Sequence, residues 1–359
     1  MSTTSPKHIL KDGAPKTITI KELHPTFGAE VLGVQWGEDG VISDEQLQEL
    51  RDTVHKYGFI VLRATPLTDS THVSFSRLFA SGPLDNISRF LPPGRVPRYY
   101  PHLELFDASN LSDDGRAILD PSLSPRAMLL RANSLWHSDL AYNPRRSSYS
   151  LLRAVELPPR DPETGKIEGG NTEFADSRTA WEELDAEKKK ELLTKDWTGV
   201  YNAAHSRKLG APEYFKDLDL EEGPMARHKV VQEHVESGRM NLCIGAYLWR
   251  LEDGEGKTVP GSKGIIGFLN EHVAKKRFVA SVRWEQPGDL VIWDNRAVLH
   301  RAGEFKGVGK HRRDMRRTTA FDQGPTAWGL NGEGAPLPTL ESITKEKGLP
   351  LTQSAAVER

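Results

Sequence analysis

The residues with the most chemistry to offer are a histidine and an aspartate two positions apart, His137 and Asp139, inside Trp136-His137-Ser138-Asp139. The segment is strand-like, and a period of two places both side chains on one face, within reach of one ion. Alone, an H-x-D pair equally describes a surface or capping pair. A second histidine, His300 in VIWDNRAVLHRAG, follows an apolar strand and can close a 2-His-1-carboxylate set. That set leaves three adjacent coordination positions open, which non-haem Fe(II) needs for a chelating cosubstrate and dioxygen. Beyond His300, RRDMRRTTAF (312–321) alternates like a strand, so Arg313, Met315 and Arg317 share a face. Two guanidinium groups beside a metal suit two-pronged capture of carboxylates, although a charge run also describes a solvated face.

Other ligand sets compete. His234-Val235-Glu236 is a second H-x-acid, and His205, His228, His272 and His311 are also available. HKVVQEHVESGR (228–239) reads as a hairpin with Ser237-Gly238 at its tip, which places His234 and Glu236 near solvent.

The elements that must position these groups come from periodicity and punctuation. Ile18 to Val34 carries short strands. Ser43 to Tyr57 is a helix with Ser43 as N-cap and Leu47, Leu50 and Val54 at helical spacing. Gly58 ends it, the buried strand Phe59 to Arg63 follows, and a second helix lies near Ser70 to Phe79. Residues 82–125 are rich in Pro, Gly, Asn and Asp, the texture of a substrate loop or lid. From 126 onward the chain reads as short strands, AMLLRA, SYSLLRAVEL, LCIGAY, DLVIWD and TTAFD, interrupted by one helix from Ser177 to Lys195. Many short strands at irregular spacing predict a sandwich or small barrel. Neither a P-loop nor GxGxxG is present, and Gly169 to Thr172 (GGNT) lacks the strand–turn–helix context of a phosphate cradle.

The 359 residues carry 48 Lys plus Arg against 50 Asp plus Glu, a formal charge of −2 that argues against nucleic-acid binding by bulk charge. One cysteine, Cys243, excludes an internal disulfide framework and a Cys-rich metal site. No apolar run approaches the roughly 20 residues of a membrane span, and the start of the chain has no apolar secretory core, so the expected location is cytoplasmic. The expected organisation is a flexible N-terminal arm (1–15), a single domain (16–325) with lid or insert regions near 82–125 and 251–264, and a peripheral C-terminal tail (326–359).

Several pieces together carry a resemblance: GAEVLGV (28–34), WHSDLAY (136–142), YSLLRAVELPP (149–159), GGNTEFAD (169–176), HKVVQEHVESGR with CIGAY (228–247), WDNRAVLHRA (293–302) and RRDMRRTT (312–319). In this order, over roughly 17–322, the chain resembles the Fe(II)/2-oxoglutarate dioxygenases of the TauD/TfdA family. It departs by extra residues around 160–168 and 251–264, and by Tyr247 where herbicide-degrading members carry histidine. The resemblance implies a mainly β fold with flanking helices around a double-stranded β-helix, or jelly roll. It implies Fe(II), 2-oxoglutarate and O2, with His137, Asp139 and His300 as iron ligands. Arg313 and Thr172 would hold the distal carboxylate of 2-oxoglutarate, Arg317 the anionic head of the primary substrate, and Asn133 would line the pocket. Trp293-Asp294-Asn295-Arg296 would hold the strand before His300. The implied activity is oxidation, chiefly hydroxylation with or without C–O, C–S or C–N cleavage, of a small carboxylate or sulfonate. 2-Oxoglutarate becomes succinate and CO2, and the same iron chemistry giving desaturation or cyclisation is the alternative outcome. A homo-oligomer, dimer or tetramer, is also implied, with no nucleic-acid or membrane partner. A non-catalytic acid-binding relative would be expected to have lost a ligand. A zinc hydrolase using the same triad would leave Arg313 and Thr172 without a role.

Overall fold

A computed structural model describes residues 17–91, 94–167, 169–340 and 342; the expected arm at 1–15 lies outside them. The chain begins with β1 (Thr19–Glu22) and β2 (Ala29–Leu32), then α1 (Asp44–Tyr57), β3 (Phe59–Leu62) and α2 (Asp69–Ala80). Among its described residues the lid-like stretch contributes a 3-10 turn (Ile87–Phe90) and β4 (Phe106–Asp107), followed by α3 (Pro125–Leu130). Next come β5 (Ser147–Glu156), β6 (Thr172–Asp176), α4 (Ser177–Glu182), α5 (Ala186–Lys195), β7 (Thr198–Asn202) and α6 (Ala203–Gly210). After β8 (Met225–Lys229), β9 (Val231–His234), β10 (Arg239–Leu242) and β11 (Leu248–Glu252) stands α7 (Ser262–Val273), and the chain ends its core with β12 (Val279–Val282), β13 (Leu290–Asp294), β14 (Val298–Ala302) and β15 (Asp314–Phe321).

Two sheets make the jelly roll. The larger runs β1-β2-β3-β13-β5-β15-β4, and the smaller runs β12-β6-β14. Alternation sorts their residues. Phe59, Val61, Leu152, Val291, Trp293 and Met315 face Phe174, Val282 and Val298 of the smaller sheet. Ile60, Leu62, Leu151, Leu290 and Ile292 face the other way and meet Leu50, Val54, Phe75 and Phe79 of α1 and α2. Ser43 caps α1 by accepting from Gln46 N, and Gly58, at φ 76°, turns the chain directly into β3. A third core gathers Trp181, Leu192, Tyr201, Leu242, Leu248 and Leu269 around α4, α5, α7, β7, β10 and β11, outside the smaller sheet.

Several expectations are corrected. AMLLRA is not a strand: Ser124 caps it and Pro125 sits in its first turn, so it forms α3 and a following 3-10 turn. The helix expected from Ser177 to Lys195 is two helices, because the Asp185 side chain accepts from Glu187 N and Lys188 N and starts α5 afresh. LCIGAY leaves its strand after Leu242. α6 and α7 are two further helices where the sequence reading named none. Among the described residues beyond 325, Ala327 and Asn331 tie back to the core. Ala327 is buried, its carbonyl accepts from Arg146 N at 2.9 Å, and Asn331 donates to Pro144 O and Arg227 O. No helix among the described residues is long and apolar enough to cross a membrane.

Candidate metal centre and its two cavities

The triad is assembled from three places in the sequence. His300 sits mid-strand in β14, paired with Phe174 of β6, and packs against Trp293 with ring centroids 4.6 Å apart. His137 is joined to it by an isolated bridge, His137 N to His300 O at 3.0 Å and His300 N to His137 O at 2.9 Å. The expected strand at 136–139 is thus one bridge followed by a turn, and Asp139 lies in the turn. The two rings are 4.2 Å apart, and Asp139 Oδ1 is 3.9 Å from His137 Nε2 and 3.6 Å from His300 Nε2. One ligand atom from each residue lies within 4.8 Å of the others, and all three residues are buried.

The hydrogen bonds fit a metal. His137 Nδ1 lies 2.7 Å from Leu135 O and donates there, which leaves the Nε2 lone pair free. Among the described residues neither ring nitrogen of His300 has a hydrogen-bond partner, although both are buried. Burial, then the neighbouring His300, pushes the His137 imidazole down to about 3, so it stays neutral and able to ligate. Burial alone would raise the Asp139 carboxyl, but the Arg317 guanidinium, 2.8 Å from Oδ1, holds it well below the usual carboxylate range.

Gly245 sets the position of His137. Its φ is +113°, and a Cβ there would lie 2.8 Å from Trp136 O and 3.1 Å from His137 Cα, while Ala246 N donates to Trp136 O. Gly245→Ala must therefore move the His137 backbone. Mn(II) affinity is expected to fall about tenfold, the scale of a disturbed ligand support; a titration giving the unchanged affinity would show that the segment yields without cost.

Two cavities flank the triad. One, of ≈ 420 Å³, is lined by His137, His300, Trp293, Gly170, Thr172 and Arg313 among others. The second, of ≈ 250 Å³, is lined by Asp139 and Thr319 and by apolar side chains including Ile87, Phe90, Leu130 and Leu140. Asn133 and Arg317 line both. The lid-like stretch 82–125 does reach the site, through Ile87, Phe90 and Phe106 on one side and Ala108 to Asn110 on the other. Leu340, from the expected peripheral tail, lines the smaller cavity.

Arg313 reaches the larger cavity with Nη2 donating to Gly170 O at 3.0 Å, and it has no acidic partner among the described residues. Burial pushes it down to about 10, so it is still a cation at neutral pH. A Cβ at Gly170 would meet Arg313 Nε at 3.3 Å, and one at Gly169 would meet Glu304 O at 2.5 Å; Gly170 lets the backbone lie against the guanidinium, and Gly169 lets it pass the Glu304 carbonyl. Thr172 Oγ1 accepts from Trp284 Nε1 at 3.2 Å, a support with no signal in the sequence beyond an isolated tryptophan. Arg317 lies over the Phe106 ring at 4.7 Å. Tyr142 and Tyr247, their rings 4.9 Å apart, line the smaller cavity and carried no sequence signal as a pair.

His234 is the clearest misplacement, whereas Glu236 is exposed as expected. The hairpin forms as expected, but His234 is buried, with Nε2 3.0 Å from Asp294 Oδ2. His234, Glu236 and Asp294 are close enough to hold a metal, yet Arg296 already pairs with Asp294 at 2.7 Å and with Glu236. The guanidinium supplies the positive charge, and the group is an ion-pair network. His205 and His272 bond to backbone carbonyls outside the triad, and His228 bonds to Asn143 O.

Comparison with known proteins agrees with this geometry. The model of the "Taurine catabolism dioxygenase TauD, TfdA family" matches residues 19–319. The chain is 31% identical over 308 residues to an alpha-ketoglutarate-dependent 2,4-dichlorophenoxyacetate dioxygenase of Burkholderia sp. (strain RASC), covering 85% of this chain and 95% of that one. It is 27% identical over 288 residues to an (S)-phenoxypropionate/alpha-ketoglutarate-dioxygenase of Sphingobium herbicidovorans, covering 79% and 88%. The crystal structure of AAD-2 in complex with Mn(II) and N-oxalylglycine superposes with a TM-score of 0.68 at 28% identity, over 86% of this chain and 98% of that one.

Proposed function

Because the chain belongs to the TauD, TfdA family and is an Fe(II)- and 2-oxoglutarate-dependent dioxygenase, we propose that its two cavities divide the work, one for 2-oxoglutarate and one for a small organic anion. In this reading His137, Asp139 and His300 hold Fe(II). Bound Fe(II) with 2-oxoglutarate and O2 supplies the oxidising power, and 2-oxoglutarate leaves as succinate and CO2. Arg313 and Thr172 hold the distal carboxylate in the larger cavity. Arg317 and Asn133 receive the anionic head of the primary substrate in the smaller one, whose apolar walls take the organic body and exclude water. Tyr142 stays protonated there, its hydroxyl pushed up to about 12 by burial.

The observation that carries the assignment is that Arg317 and Asn133 line both cavities beside the triad, while Arg313 and Thr172 line only the larger. A carboxylate substrate is supported by the two similar enzymes, named for phenoxyacetate and phenoxypropionate chemistry. Hydroxylation next to a heteroatom, collapsing to cleavage, is the expected outcome. The test is succinate release from 2-oxoglutarate, stimulated by a panel of aryloxyalkanoates, sulfonates and sulfate esters. Arg317→Ala is expected to raise the half-saturating concentration of the stimulating acid by about 30-fold or more, the scale of truncating one partner of a buried charge pair. That of 2-oxoglutarate should move less than threefold. Equal effects on both would sink the division of roles.

A further inference from the structure

We propose that Asn295 and Ser150 are positioning residues that clamp the Asp139 carboxylate so that it offers the metal one oxygen and not two. The inference rests on the metal reading above and concerns this chain's own residues.

Three residues close a ring. Asp139 N donates to Asn295 Oδ1 at 2.9 Å, Asn295 Nδ2 donates to Ser150 Oγ at 2.9 Å, and Ser150 Oγ donates to Asp139 Oδ2 at 2.7 Å. Each bond fixes the next. Because a backbone N–H can only donate, the oxygen of the Asn295 amide must face Asp139, and Trp293 Nε1 confirms that orientation by donating to the same oxygen at 3.0 Å. The amide nitrogen then faces Ser150 and occupies a lone pair of its hydroxyl. The single hydroxyl proton is left for the carboxylate, and Thr319 Oγ1, 3.2 Å away, is the weaker alternative. Ser150 is fully buried, and Asp139 and Asn295 nearly so, so water does not compete.

The consequence is geometric. Oδ2 is engaged by Ser150, and Oδ1 is the oxygen that faces both imidazoles. A carboxylate free to turn could chelate through both oxygens and occupy one of the positions that 2-oxoglutarate and O2 require. This also gives the WDNR motif its part. Asp294 N donates to Gly58 O, Asn295 N to Ser148 O and Arg296 N to Asp294 Oδ1, so the motif folds the turn that aims Asn295 at Asp139.

The experiment compares wild type, Ser150→Ala and Asn295→Ala, with Ser177→Ala as a control that deletes another buried hydroxyl, one that donates to Ala297 O. Mn(II) dissociation constants and the visible bands of the Co(II)-loaded proteins are read without turnover. Ser150→Ala and Asn295→Ala are expected to bind Mn(II) about tenfold more weakly and to shift the Co(II) bands as the second oxygen enters, while Ser177→Ala does neither. If Asn295→Ala does not fold, Ser150→Ala decides alone. Wild-type affinity and an unshifted Co(II) spectrum in folded Ser150→Ala would overturn the clamp. A wild type whose Mn(II) binding survives His137→Ala would instead overturn the metal reading, and the clamp with it.

Discussion

Asp139→Asn is expected to lose metal-dependent stabilisation and to reduce turnover more than about 100-fold, beyond the range seen when only a ligand's supporting hydrogen bond is removed. The substitution nearly conserves volume, so its effect is electrostatic. Asp139 is the one anion of the triad, and the two imidazoles bring no charge. Arg317, 2.8 Å from Oδ1, faces that charge already. Without the carboxylate, a divalent ion would meet two neutral nitrogens and an unneutralised guanidinium. The wild type should gain about 2.7 kcal/mol of stability from Mn(II) at a hundred times its dissociation constant, because a ligand that binds only the folded state stabilises by mass action. The variant should gain nothing, while melting cooperatively in chelator. Thermal melts with and without Mn(II) make the measurement, and a metal-dependent shift equal to that of the wild type would show that the ion sits elsewhere.

The triad was legible because its evidence is chemical type and short spacing. His137 and Asp139 are two apart, and His300 follows an apolar strand. The regular strand expected at 136–139 did not form, since the bridge to His300 is made by the tertiary fold and Asp139 falls in the turn beyond it. Where the pattern misled, a partner distant in sequence usually decided. His234 reads as solvent-facing from its hairpin, but Asp294, sixty positions on, draws it inside. The central strands were legible as apolar runs, as was α1 through its cap and apolar spacing. α3 had a local signal in Ser124-Pro125 that outweighs its apolar run. α7 had little: it starts on Gly261 with no side-chain cap and carries two internal glycines. Its stability comes from Ile266, Leu269 and Val273 packing into the third core, which no local rule reports.

Arg313→Ala is expected to raise the half-saturating 2-oxoglutarate concentration about 100-fold, with the rate at saturation within a few fold of wild type. Arg313 is a cation enclosed by protein, bonded to a backbone carbonyl and facing a cavity, without a carboxylate of its own among the described residues. Such a charge is costly to bury unless an anion joins it, and the anion it lacks is the distal carboxylate of the cosubstrate. Truncating one member of a buried charge pair costs about 2–5 kcal/mol, and two orders of magnitude in affinity fall inside that range. The rate should survive because Arg313 contacts none of the three ligands, so a cosubstrate forced in at high concentration still finds the triad intact. Arg313→Lys should fall between: it keeps the charge but loses the planar fork that meets both carboxylate oxygens at once. Steady-state kinetics in 2-oxoglutarate and, separately, in the organic acid give the decisive comparison. Arg313→Ala should move the first and spare the second, the reverse of Arg317→Ala, although the two side chains are only four residues apart, Arg313 just before β15 and Arg317 within it. If both variants moved both constants alike, the two arginines would be one electrostatic patch serving a single cavity, and the separation of cosubstrate from substrate would have to be sought in other residues.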